Sequence, residues 1–253
     1  FFIDQTIFNV SGIKILVLAV VGILNTLILL FYLIALKSEE ASVAVVFYQL
    51  VPVFGGILGY FILGEVLNQI QILSMIIIIF GAIIISFEID SDNKFKLRKK
   101  AIIPMLAAAF CWALGSVLFK AVALEENIWR SLFWEHLMLV LIGFFILIFM
   151  RSARENFLLA IRNNSRNILS LTTLNEFFYI FGNVSFAYSY LLAPIGLVLI
   201  AESFQPIFVL TIGIFLTIFF PKISSEKIQA KHLWPKILAI CITGIGTYLL
   251  FAS

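Results

Sequence analysis

Charge is scarce in this chain. Of 253 residues only 12% are charged, against 62% hydrophobic. A globular domain carries about 25% charged and about 45–50% apolar residues, so a soluble fold is excluded and little of the chain can lie outside a bilayer. Polar catalytic motifs are missing as well. Glu135 and His136 stand side by side, but HExxH is absent and the other histidine, His232, is in a loop, so no metal is expected. No DDxxD pair and no Walker A loop occurs, which argues against an isoprenoid-type enzyme and against ATP-driven pumping. No cofactor is expected. No basic face on a folded soluble domain is visible, so nucleic acid is not an expected partner. The two cysteines, Cys111 and Cys241, sit inside apolar segments and read as small buried hydrophobes. The chain opens on Phe1 with no charged leader, and residues ahead of it are expected.

What is abundant is apolar sequence in long runs. Eight candidate spans are read at about 13–36, 41–64, 69–88, 101–123, 131–150, 168–192, 194–220 and 233–251. Runs of roughly 19–27 residues are helical spans of a core about 30 Å thick; barrel strands would show about ten alternating residues. The longest connections are 89–100, 151–167 and 221–232. The middle one mixes arginines with Phe157, Leu158, Leu159 and Ile161, and reads either as an amphipathic helix on the membrane surface or as an irregular loop.

Thirteen of the 17 basic residues fall in or beside these three connections: Lys94, Lys96, Arg98, Lys99, Lys100; Arg151, Arg154, Arg162, Arg166; Lys222, Lys227, Lys231, Lys236. With eight spans the three lie on one side, which the positive-inside rule makes cytoplasmic.

An internal repeat is visible. Pro52-Val53-Phe54 is followed by Gly59, and Pro206-Ile207-Phe208 by Gly213, at a constant offset of 154. Spans one to three thus repeat as spans six to eight, and spans four and five have no counterpart. Two further helices ahead of Phe1 would give five plus five. An odd number of helices per repeat inserts the second repeat upside down, as in secondary transporters. The expected fold is an all-α integral membrane protein, a polytopic bundle of inverted five-helix repeats with the first repeat truncated. The repeats divide as 1–90 and 101–253, joined by a basic loop at 91–100.

The stretch ALKSEEASVAVVFYQLVPVFGGILGYFILGEVL, with its central proline and closing Gly64-Glu65, resembles the fourth helix of EamA-type members of the drug/metabolite transporter superfamily. LLAPIGLVLIAESFQPIFVLTIGIF resembles the matching ninth helix, and WALGSVLFK, Trp112 to Lys120, the opening helix of the second repeat. Two departures stand out. Ile218 and Phe219 replace the closing Gly-Glu in the second repeat, and family members with both termini cytoplasmic would place the basic loops outside. The charge count is preferred here.

The resemblance implies a transporter of a small metabolite in the plasma (inner) membrane, expected to be bacterial, with the bilayer, a solute and protons as partners. The alternative class is a membrane-embedded enzyme acting on a lipid. Ionisable groups inside spans cost about 2.5–3.5 kcal/mol each and need a reason. Glu202, Gln205 and Pro206 share one helix face, and Pro206 frees the Glu202 carbonyl. Tyr48 and Gln49 hold the equivalent level of the first repeat. Glu176 is read either as a midplane functional group or as a helix-to-helix bond. Lys120 either snorkels to the interface or serves a substrate. Trp112 either lines a pocket or packs. Pro52 and Pro206 are helix breaks. Gly55 and Gly59 form a GxxxG pair, with Gly213 matching Gly59, for contact within the chain or in a homodimer. Glu65 is either a solvated helix end or a gate.

Overall fold

A computed structural model describes residues 8–66, 68–89, 95–199, 204–221 and 229–252. The chain order is α1 (Gly12–Leu36), a composite span, α4 (Gln69–Ile85), a strand pair, α5 (Lys99–Ala123), α6 (Ile128–Phe149), α7 (Arg151–Leu192), α8 (Ile195–Val198), α9 (Gln205–Phe219) and α10 (Ala230–Phe251). The composite span is α2 (Ala41–Ala44), a 3-10 stretch (Val45–Leu50), α3 (Val51–Leu58) and a π turn (Gly59–Leu63). Among the described residues, Gly12–Leu36, Ala41–Leu63, Lys99–Ala123 and Ile128–Phe149 are long and apolar enough to cross a membrane; Gln69–Ile85 and Gln205–Phe219 are apolar but shorter.

Two differences from the sequence reading change the architecture. The expected helix 69–88 stops at Ile85, and the chain pairs β1 (Phe87–Ile89) antiparallel with β2 (Phe95–Leu97). This ribbon is the described departure from an all-α chain. Both strands read apolar-charged-apolar, the period of a strand, with Glu88 opposite Lys96 in register. The second difference is at 151–167, which is helical and continuous with 168–192 in the 42-residue α7.

That helix cannot be straight. His136 of α6 touches Asn183 of α7, and from there α6 needs 14 residues, about 21 Å, to reach Met150. The α7 arm from Asn183 back to Arg151 takes 32 residues, about 48 Å if straight. Both arms meet at Met150, so α7 must bend. The arginine-bearing first part thereby turns off the line of the second.

Local signals explain the ends. Asn68 and Gln71 form a capping box at α4, each side chain accepting the other's backbone N–H at 2.8 Å. Asn127 caps α6 by accepting the Trp129 N–H at 2.9 Å. Gly64, at φ 69°, closes the π turn in the left-handed region that favours glycine, and the Glu65 N–H returns to the Gly59 carbonyl.

Contacts group the chain into two compact units, each drawing on both halves of the sequence: residues of 1–23 with 118–193, and of 24–117 with 194–253. In the first, α6 and α7 pair antiparallel, with Trp129 against Tyr188 and His136 against Tyr179. Lys14 bonds Glu126 at 2.7 Å and Glu125 at 3.1 Å, and Arg130 reaches Glu126 at 3.4 Å. The Lys14 ammonium foremost, with Arg130 adding to it, holds the Glu126 carboxyl below its usual range against a smaller opposing effect of desolvation.

In the second unit α4 and α10 run antiparallel. Gly81 lies against Thr243, and Gly246 against Ile78 and Ser74. The composite span runs antiparallel to α8 and α9: α2 meets α9, whereas α3 meets α8. Arg98 bonds Glu39, and the buried Lys236 bonds Glu40.

Candidate functional site

The second unit is built around the break in the composite span. Pro52 has no N–H to offer the Tyr48 carbonyl four residues back. The Val51 N–H takes that carbonyl instead, in the shorter 3-10 pattern, and α-helix resumes with proline in its first turn. Later in the chain helix breaks recur at matching places. An offset of 154 carries Ala41–Ala44 onto Ile195–Val198, and Val51 onto Gln205. Leu199 and Phe204 are 3-10 residues, as Val45 and Leu50 are, and Pro206 takes the place of Pro52 in the first turn of α9. The contacts are reciprocal under the same offset, since α3 touches the counterpart of α2 while α2 touches the counterpart of α3.

Side chains at the break are buried. Tyr48 is 4% exposed and Gln49 1%. Tyr48 lies between the half-buried rings of Tyr32, at 5.8 Å, and Trp112, at 5.0 Å and 73° edge-on. The structure thus brings two expected residues, Tyr48 and Trp112, together and adds Tyr32. Tyr32 has no sequence signal because its contact bridges three helices. Gln205 opens α9 half-buried, while Pro206 and Gly213 are buried. Glu202 lies outside the described residues.

The glycine pair is filled from within the chain. A Cβ at Gly55 would strike the Leu199 side chain, and Gly196 lies against the Gly56 backbone at 3.6 Å from its own Cβ position. A Cβ at Gly59 would stand 2.8 Å from Glu65 Oε2 and 2.9 Å from Ile195 Cγ2. Glu65 is therefore more than a solvated end. Its carboxylate accepts the Ile195 N–H at 3.0 and 3.3 Å, so a residue closing the composite span caps the start of α8. A small cleft beside it is lined by Gly56, Glu65, Gln71, Met75, Pro194 and Gly196.

The remaining expected residues belong to the first unit. Lys120 does not snorkel outward. It is buried, and its Nζ donates to the Ala193 carbonyl at 2.7 Å, where a cation suits the C-terminal end of α7. Glu176 is exposed on α7.

Residues 1–87 match the EamA-like transporter family. No curated protein is a match. The resemblance to EamA-type drug/metabolite transporters is thereby borne out over that segment. Together with the apolar helices it supports an integral membrane protein that transports small solutes.

Proposed function

We propose, from a chain whose first 87 residues are EamA-like, a secondary transporter that moves a small polar or amphipathic metabolite, such as an amino acid, by alternating access between inverted repeats. Transport is proton-coupled export across the plasma (inner) membrane of a bacterium. One observation carries this reading: two broken spans, 154 residues apart, run antiparallel with reciprocal contacts. That is the pattern of an in-plane two-fold, and a two-fold between repeats supplies two equivalent ways of leaning one repeat on the other.

The substrate is held at the breaks. Tyr48, Tyr32 and Trp112 offer aromatic surface, and Gln49 and Gln205 offer amide groups on the facing spans. Glu202, three residues ahead of Gln205, supplies a carboxylate that is protonated in one access state and released in the other. Glu176 and Lys120 lie outside this group.

The test is a solute screen in reconstituted vesicles with the pH gradient on or off. Wild type accumulates its solute only with the gradient on. Glu202→Gln inserts and folds but loses gradient-driven accumulation while keeping exchange, and Tyr48→Phe and Gln205→Ala weaken apparent affinity. Wild-type-like, pH-dependent transport by Glu202→Gln removes that carboxylate from the mechanism.

A further inference from the structure

The first part of α7 carries a charge pattern that solute transport does not use. From Arg151 to Arg166 stand four arginines, no lysine and one acid, Glu155. The other two long connections are the reverse: with Lys236 they hold eight lysines and one arginine, Arg98. Orientation in the membrane asks only for positive charge, and either residue serves it. Arginine adds a planar fork of donors that fits a phosphate group with two parallel bonds, which the point charge of lysine does not.

The neighbours of this segment on both sides face lipid. Phe145 and Phe149, in the last turns of α6, are exposed, and so are Leu171, Leu174 and Phe178 farther along α7. The segment thus leaves the hydrocarbon at Met150 and re-enters it after Arg166. Its 16 residues span about 24 Å as helix, and with both ends held at the boundary they stay within reach of the headgroups.

The arginines share a face. At about 100° per residue, positions 151, 154, 162 and 166 fall within about 120° of arc. Ala153, Phe157, Ala160 and Ile161 fill the other side; Leu158 departs from the pattern and stands among the arginines. Ala153 and Ile161 are half-buried, whereas all four arginines are exposed, so the charged face turns away from the protein. Arg151 is engaged by Glu155, its Nε 2.7 Å from Oε1, and Arg154 reaches back to the Ile148 carbonyl at 3.5 Å. Arg162 and Arg166 have no ion-pair partner among the described residues. With the exposed Ser165 they stand at i, i+3 and i+4, neighbours on the helix surface. Two guanidinium groups and a hydroxyl in one place can donate to the oxygens of a single phosphate.

We infer that this face of α7 binds the phosphate headgroups of anionic phospholipids in the leaflet at the Met150 end of α6, and that Arg162, Ser165 and Arg166 hold one of them. Such a leaflet supplies both attractions at once: a negative surface potential along the whole segment, and a phosphodiester at the arginine pair. The inference rests on the spans on either side and not on what the protein transports. The remaining cations of this unit are engaged elsewhere, Lys14 and Arg130 on Glu126 and Lys120 on the Ala193 carbonyl.

The test places a fluorescent label on Leu158→Cys, among the arginines, in the full chain cleared of Cys111 and Cys241. The chain is reconstituted in vesicles of phosphatidylcholine and phosphatidylglycerol in equal parts, with one lipid or the other brominated on its acyl chains to quench the label. Phosphatidylglycerol should quench more than phosphatidylcholine. Arg162→Gln with Arg166→Gln should lower that preference by about 5-fold or more, and both residues are exposed, so neither change threatens the fold. Arg162→Lys with Arg166→Lys keeps the charge, loses the fork and should fall between. A label that neither lipid quenches would mean that the face meets another macromolecule, and overturns the inference. Equal quenching by the two lipids, or a preference that the glutamine pair leaves unchanged, overturns it as well. A lysine pair indistinguishable from wild type overturns the phosphate site at Arg162 and Arg166.

Discussion

Removing the Glu65 carboxylate should loosen the start of α8 by a measurable amount. Ile195 is wholly buried, and its N–H donates to both carboxylate oxygens, at 3.0 and 3.3 Å. A hydrogen bond to a charged group contributes about 1.5–3 kcal/mol net, and a buried donor left unmade costs about 1–3 kcal/mol. Glu65→Ala should therefore destabilise this contact by about 2–3 kcal/mol. Glu65→Gln keeps an oxygen acceptor without the charge, and a neutral bond is about half as strong, so about 1 kcal/mol is expected. In hydrogen exchange these become an opening of the 194–199 segment about 5-fold more frequent for the glutamine and about 30- to 160-fold for the alanine. Gly59→Ala attacks the same contact from behind, because its Cβ would stand 2.8 Å from Glu65 Oε2. In the double variant the two costs should fall short of additive, as they do for groups sharing one contact. The assay is peptide-level exchange in nanodiscs beside a thermal melt. Wild-type protection in Glu65→Ala refutes the reasoning, because Ile195 would then hold its donor satisfied by another route.

Further outcomes are expected elsewhere. Lys14→Met should flatten the acid side of the stability profile: the depressed Glu126 contributes above the ordinary glutamate range and loses its contribution as pH falls through its lowered value, and melts taken between neutral and acid pH read the slope. Gly246→Ala should destabilise by about 1–3 kcal/mol, its Cβ standing 3.0 Å from the Ser74 carbonyl and 3.1 Å from the Ile78 nitrogen, both backbone. Gly244→Ala, with open space at its Cβ, should be neutral or stabilise by up to about 1 kcal/mol, and thermal melts that do not separate the two would contradict the α4–α10 crossing. Cysteines at positions 56 and 196, in a chain cleared of Cys111 and Cys241, should form an intrachain disulfide on oxidation, and failure to cross-link would count against the antiparallel contact. Reporters at Lys99, Arg162 and Lys227 should read cytoplasm; signal from the opposite side reverses the orientation.

The sequence carried the backbone of this fold better than its side-chain contacts. Pro52 and Pro206 act on their own chain within one turn, so both breaks and their spacing could be read without knowing what packs against them. The ribbon at Phe87–Ile89 and Phe95–Leu97 was hidden, because three alternating residues are too short a signal beside a long apolar run. The helical state of 151–167 is not legible in the sequence for a related reason: its arginines and leucines fit a surface helix and a loop equally. In the candidate site, Tyr48 and Trp112 were readable as aromatic groups at apolar levels, while Tyr32 joins them only through tertiary packing. Glu65 was readable as a helix end, but a carboxylate reaching an amide 130 residues away leaves no pattern in the sequence.

The composite span also has the geometry of a screw. Its six 3-10 residues, Val45–Leu50, rise about 2.0 Å each with three to a turn, against about 1.5 Å and 3.6 in an α-helix. Rewinding them as α-helix would draw the far end in by about 3 Å and rotate it by about 120°. The near end is anchored by Glu40 to Lys236, and the far end by Glu65 to Ile195. Such a turn would have to break one of these anchors and also move Tyr48 from between Tyr32 and Trp112. A small axial slip would thus become a large change in the direction that Tyr48 and Gln49 face, with no other part of the span unfolding.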